Sequence, residues 1–323
     1  MKFDVIIGNP PYQQDDGGHG TSAKPLYHLF VQQAKKLQPR YLSMIIPARW
    51  FSGGKGLDEF REQMLSDNRL QTIVDHFEAS DVFHGIDISG GVCYFLWDRD
   101  SKGDCLIKTI RNGVESKMTR PLLESGTDIF IRFNEAISIY RKVKTHNEKS
   151  FADIVSSRKP FGLATNAKVK SSGSINVFAY PNKGYLELSD IPNNHETIGK
   201  FKVFISYAYG ERGDFPYLVI GKPFVGEPNT ACTETYITIG KFDDRKSAEN
   251  VQGYMQTRFV RFLILLCKNT QHATQKVYQF VPMQDFTQEW TDEKLYAKYG
   301  LTKDEITFIE SMVRPMTTGG ANE

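Results

Sequence analysis

Phe3-Asp4-Val5-Ile6-Ile7-Gly8-Asn9-Pro10-Pro11-Tyr12 decides how this chain is read. Residues 5–7 are apolar and β-branched without polar alternation, the pattern of a short strand buried on both faces in the parallel sheet of an α/β domain. Gly8 ends the strand. Asn9 to Tyr12 then fall at the carboxyl edge of the sheet, where open α/β sheets bind their ligands. Two consecutive prolines fix φ twice and supply no N–H, so the turn is stiff and its carbonyls stay free to accept. Asn9 offers a side-chain oxygen, Pro10 a main-chain oxygen and Tyr12 a flat aromatic face. Two acceptors beside a stacking surface suit a planar amine, such as the exocyclic amino group of a nucleobase. The plain alternative is a rigid turn after a strand.

Asn-Pro-Pro-Tyr in this setting resembles the catalytic motif of amino-group methyltransferases that use S-adenosylmethionine, above all the N6-adenine DNA methyltransferases of type II restriction–modification systems. Residues 27–37, Met44-Ile45-Ile46-Pro47-Ala48-Arg49-Trp50 and Phe60-Arg61-Glu62-Gln63-Met64-Leu65 look like the motifs that follow the catalytic one. Asp81-Val82-Phe83-His84-Gly85 is similar to the segment that supplies a second aromatic against the target base in the TaqI-like class, with Phe83 the candidate; a core phenylalanine at a strand end is the alternative. The resemblance implies a flipped adenine stacked on Tyr12, its amino protons accepted by Asn9 and the Pro10 carbonyl in a turn stiffened by Pro11. It requires no metal and no dedicated general base.

The chain has 323 residues, enough for two domains with real cores, and is 40% hydrophobic and 24% charged, an ordinary globular composition. A formal net charge of +2 does not argue for nucleic acid by itself, so any basic surface must be local. Cys93, Cys105, Cys232 and Cys267 lie far apart and form no CxxC pair, which speaks against zinc and for a reducing cytoplasm. No signal peptide or membrane-spanning run is evident, so no membrane partner is expected.

Residues 13–24 read as a mobile loop, a candidate lid or DNA-contacting segment, with His19 a solvated residue of it. Pro25 opens a helix on which Leu26, Leu29, Phe30, Ala34 and Leu37 recur at helical spacing. Strands follow at 41–46, 70–77, 91–97 and 105–111, with a helix at 57–66 and a polar connection at 112–126. This is the C-terminal half of a doubly wound, Rossmann-like methyltransferase sheet in an α/β fold. Residues 1–120 are expected to form that half and 121–150 a linker with an amphipathic bridging helix. Residues 151–315 should form a mixed α+β target-recognition domain, and 316–323 a disordered tail. In the recognition domain, short strands are expected at 175–180, 201–207, 217–220 and 235–239, then one long helix at about 245–268.

Charge is unevenly distributed in this second half. Residues 154–186 contain no acid but include Arg158, Lys159, Lys168 and Lys170; residues 250–284 contain none but include Lys268 and Lys276. Such lysines and arginines would hold the phosphates of double-stranded DNA, while the amide-rich run Asn269-Thr270-Gln271-His272-Ala273-Thr274-Gln275 could reach base edges. Solvated faces whose acidic partners come from elsewhere in the fold explain the composition equally well. The resemblance to target-recognition domains, carried by Thr235-Tyr236-Ile237-Thr238-Ile239-Gly240, Phe280-Val281-Pro282 and Trp290-Thr291-Asp292, implies DNA binding.

The family's glycine-rich cofactor turn and the acidic residue after it are not found. In the class with a C-terminal recognition domain those elements precede the catalytic motif, and here only Met1-Lys2 precede its strand. Residues 222–231 superficially resemble a cofactor loop, but Pro228 lacks the N–H such a loop needs. The expectation is therefore an adenine-specific DNA methyltransferase whose S-adenosylmethionine motifs lie outside this chain, in a missing N-terminal half or a partner chain. The alternatives are a non-catalytic DNA-binding specificity fragment, and a methyltransferase acting on protein glutamine or RNA.

Overall fold

The apolar run after Asp4 forms a strand, β1 (Val5–Gly8), and α1 (Tyr27–Lys36) returns the chain to its parallel neighbour β2 (Tyr41–Pro47). Helix α2 (Asp58–Leu65) leads to β3 (Leu70–His76), followed by β4 (Val92–Asp98), β5 (Cys105–Arg111) and β6 (Val114–Arg120). The sheet order is β1-β2-β4-β3-β5-β6. β4 runs antiparallel between β2 and β3, β3 and β5 are parallel, and β6 closes an antiparallel hairpin. These elements lie in the first of two compact units, Met1–Glu135 and Ala136–Glu323; described in this computed structural model are residues 3–14, 24–54, 56–86, 88–180, 183–210, 215–268 and 271–316. The mixed α/β sheet agrees with the expected half of a doubly wound fold.

One face of the sheet is covered. Leu42, Met44 and Ile46 of β2, Phe95 and Trp97 of β4, and Ile73 of β3 pack against Tyr27, Val31 and Ala34 of α1 and Phe60, Met64 and Leu65 of α2 in one apolar cluster. Burying side chains of this size contributes roughly 1.5–3 kcal/mol each. Three expectations need correction here. β1 is not buried on both faces: Val5 is 50% and Ile7 78% exposed, because β1 is an edge strand paired only with β2 among the described residues. The buried face of α1 is Tyr27, Val31 and Ala34, while Leu29, Phe30 and Leu37 are exposed. Residues 112–126 are not a plain connection, because they contain β6. Asn112 and Gly113 both have positive φ, 49° and 74°, as a tight hairpin turn requires.

The second unit holds α3 (Glu135–Thr145), which starts at the boundary, then β7 (Ile175–Phe178), β8 (Gly184–Leu186), α4 (His195–Ile198), β9 (Phe201–Ser206), β10 (Phe224–Gly226), β11 (Thr230–Cys232) and β12 (Tyr236–Phe242). α5 (Arg245–Gln256), α6 (Arg258–Cys267), α7 (Asp292–Lys298) and α8 (Lys303–Met312) complete it. Its strands form two small sheets, β10-β9-β12 and β11-β7-β8. The single helix expected at 245–268 is two. Thr257 takes extended angles (φ −61°, ψ 149°), caps α6 by accepting from the Val260 N–H, and Asp292 accepts from the N–H groups of Arg258 and Phe259. Residues 217–220 are not a strand either; Tyr217 makes an isolated bridge to Val313, and Val219 has a φ of 74° that a strand cannot use. Among the described residues no helix is long and apolar enough to cross a membrane.

Candidate active site

β1, β2 and β3 run parallel, so the segments after all three emerge at one edge of the sheet. After β1 comes Asn9 to Tyr12, after β2 the tight turn Ala48–Phe51, and after β3 the turn Ala79–Asp81 with Phe83. Asn9 is exposed and its side chain pairs with no described residue. Pro10 is buried, Pro11 exposed and Tyr12 half-buried. The turn is stapled to the start of α1: the Leu26 N–H donates to the Tyr12 carbonyl at 3.1 Å, the Gln14 N–H to the Lys24 carbonyl at 2.9 Å, and Gln13 bridges Pro25. The expected loop at 13–24, with His19, otherwise lies outside the described residues.

Behind the turn is a neutral polar cluster. The Tyr12 and Tyr27 hydroxyls are both buried with no partner among the described protein groups. Burial, with a smaller effect from Cys93, pushes the Tyr12 phenol up to about 12, and the Tyr27 phenol is raised by the same causes. Burial also raises the Cys93 thiol, which receives the Trp50 indole N–H at 3.3 Å. Beyond Cys93, Arg132 clamps the fully buried Asp75 with two hydrogen bonds of 2.7 Å and lies 4.0 Å from the Phe77 ring centre. Ions of this kind are retained in a core only when paired, because stripping either partner leaves a buried charge. At neutral pH the Tyr12 and Cys93 groups are protonated, so this cluster offers no nucleophile. What the edge presents is a carboxamide and an anchored aromatic ring. Tyr27, Trp50 and Arg132 were not singled out for the site from the sequence. The signal lay in Asp75, an acid directly after the apolar pair Ile73-Val74 of β3.

Phe83, half-buried, follows β3 at the same edge of the sheet from which Tyr12 follows β1. With β2 and β4 between them, β1 and β3 are three strand spacings apart, about 14 Å. Phe83 follows a short turn and is not a core residue at a strand end. Gly91 holds this corner. With φ 79°, a Cβ there would sit 2.0 Å from the His76 carbonyl oxygen, while its own carbonyl accepts from the Ala48 N–H.

Several of the basic residues singled out in the second unit are engaged within the protein. Arg158 pairs with Glu234 at 3.1 Å, and Lys159 approaches the same carboxylate at 3.9 Å. Lys170 pairs with Asp190 at 2.7 Å, and Lys268 donates to the Tyr209 carbonyl at 2.7 Å. Lys168 and Lys276 are exposed. The acidic partners of three of these cations thus do come from outside the acid-free windows. Residues 222–231 form β10, a turn with Asn229 at φ 61°, and β11, with no helix following. Among the described residues no group of three His, Cys, Asp or Glu side chains could hold a metal ion, and all four cysteines are buried outside any disulfide.

Residues 1–83 match the model of the Eco57I restriction-modification methylase family. An uncharacterized adenine-specific methylase of Mycoplasma pneumoniae is 41% identical over 112 residues, 34% of this chain and 26% of that protein. The chain thus spans about a quarter of the length of this curated relative. Among solved structures, the Type IIL restriction-modification enzyme MmeI in complex with DNA aligns with a TM-score of 0.44 at 9% identity, over 85% of this chain and 45% of that one. The type IIG restriction endonuclease BpuSI aligns with a TM-score of 0.38 at 12% identity, over 93% and 49%.

Proposed function

We propose that this chain carries the target-base side of an adenine-specific DNA methyltransferase, acting within a restriction–modification system in the cytoplasm. The observation that carries the reading is the stapled Asn9–Tyr12 turn at the carboxyl edge of β1, inside the segment that matches a methylase family. An adenine flipped out of the duplex, at a cost of a few kcal/mol, stacks on the Tyr12 ring. Asn9 Oδ1 and the Pro10 carbonyl accept its two amino protons and turn the nitrogen lone pair outward. Phe83 closes on the other side of the base, which requires the segment after β3 to swing toward β1. Positioning of this kind supplies rate without a general base. Arg158, Lys159, Lys168, Lys170, Lys268 and Lys276 contribute to holding the duplex.

S-adenosylmethionine is the methyl source in this reading, and the described residues do not fit it. In the run at 222–231 Pro228 has no N–H to donate, and strands follow where a cofactor cradle needs a helix. The reading assigns the cradle to strands that pair with the free edge of β1, in a further segment or a partner chain, since an exposed apolar edge is a template for another strand.

The test uses genomic DNA from cells carrying the gene at its own locus, sequenced for N6-methyladenine. Wild type marks one sequence; Asn9→Ala removes the mark, and Tyr12→Ala depletes it. Marking that survives Asn9→Ala at wild-type level would overturn the mechanism.

A further inference from the structure

The two acid-free windows, far apart in sequence, meet at Tyr207. The Arg158 guanidinium lies over the Tyr207 ring, 5.1 Å from its centre, and His272 stacks on the same tyrosine at 5.0 Å with 28° between planes. The segment that bears His272 is pinned beside it: the Ala273 N–H donates to the Tyr207 carbonyl at 2.7 Å and the Tyr209 N–H to the Gln271 carbonyl at 2.8 Å. Arg158 is held from the side as well. Glu234 takes its Nη2 at 3.1 Å and is itself fixed by the N–H of Thr165 at 3.1 Å. The next residue, Lys159, has a φ of 65°, a conformation uncommon outside glycine that sets the chain direction just after the arginine. Despite these restraints, 58% of the Arg158 side chain is exposed.

An exposed arginine seated over a ring and held on its flank by a carboxylate is pre-organised. A solvated arginine in search of a phosphate needs neither restraint. Its remaining N–H groups form a fork of the width that matches O6 and N7 of guanine. Gln271, exposed on the adjoining pinned segment, adds an amide of the type that reads adenine. Resting on the reading of this chain as a DNA methyltransferase, we propose that the Arg158–Tyr207–His272 stack, buttressed by Glu234, reads a guanine edge in the major groove of the target duplex.

The probe is a pool of random-sequence duplexes, bound by the full chain and sequenced after recovery, together with affinity for bulk duplex at low salt. Wild type enriches a motif containing guanine. Arg158→Ala lowers the preference for that guanine roughly ten- to a hundredfold. Bulk affinity at low salt falls by less than about threefold. Glu234→Gln keeps the arginine but loosens it, and lowers the same preference in part without touching other positions. Melting curves of both variants verify folding, which an exposed arginine does not control. A uniform loss across all sequences makes Arg158 a phosphate contact and overturns the proposal, as does an unchanged motif. A wild-type chain with no motif and no duplex affinity removes the methyltransferase reading itself, and this proposal with it.

Discussion

At the residue scale, the ring of Tyr12 is held by where its hydroxyl goes. The phenol points into the same buried cluster as Tyr27 and the Trp50–Cys93 pair, with no protein hydrogen bond to lose. Tyr12→Phe should therefore keep most of the adenine marking that Tyr12→Ala depletes. The two phenols also predict an alkaline weakness. Their folded pKa values are raised above the ordinary value of 10, so the native state binds more protons than the unfolded one at high pH, and stability must fall as pH rises. For Tyr12 the loss runs from pH 10 to about 12. Melting temperatures at pH 9 and pH 11 will show a drop in wild type that the double variant Tyr12→Phe, Tyr27→Phe reduces. An equal drop in both would mean that other groups govern it. Asn9, Pro10, Pro11 and Tyr12 could be read from the sequence because a four-residue turn carries its own geometry. Tyr27 could not, since only the fold turns a helix-start tyrosine toward a strand that begins at position 92.

At the element scale, the first five strands were legible in chain order and type, because apolar β-branched runs leave few alternatives. β6 was lost to its polar residues, Glu115, Ser116 and Lys117, which suit a hairpin strand at the sheet edge and look like a loop in isolation. The Asn112-Gly113 pair was the signal for it. The break at Thr257 was hidden for another reason: Thr is tolerated inside helices, and its capping partner Asp292 is remote in sequence. The corner at Gly91 shows how much one residue can decide. Gly91→Ala adds a methyl between two carbonyls at a positive φ, and should destabilise the first unit by about 3 kcal/mol or more. Denaturant titration measures it, and a change below about 1 kcal/mol would mean that the corner relaxes freely.

At the scale of the whole molecule, the first unit leaves several large apolar side chains on its surface. Phe3, Val5, Ile7, Leu29, Phe30 and Leu37 are all open to solvent, and β1 offers unpaired backbone groups beside them. The apolar run at 5–7 identifies a strand, but a run without polar alternation does not say which face will be covered. The purified chain should self-associate in light scattering and show negligible heat with S-adenosylmethionine. Ile7→Lys, which places a charge on the edge, should shift it toward monomer without lowering its melting temperature. A monodisperse wild-type monomer that binds the cofactor at micromolar concentration would contradict the assignment of the cradle to other strands.

The four cysteines have a practical consequence. All are buried, and burial raises the thiols of Cys93, Cys105 and Cys232, so they stay protonated and out of reach of alkylating reagents. The folded protein therefore behaves toward a maleimide dye as though it had no thiols. A cysteine placed at Lys168 would take the dye alone, and its fluorescence would report a duplex arriving at the second unit without any rebuilding of the native sequence.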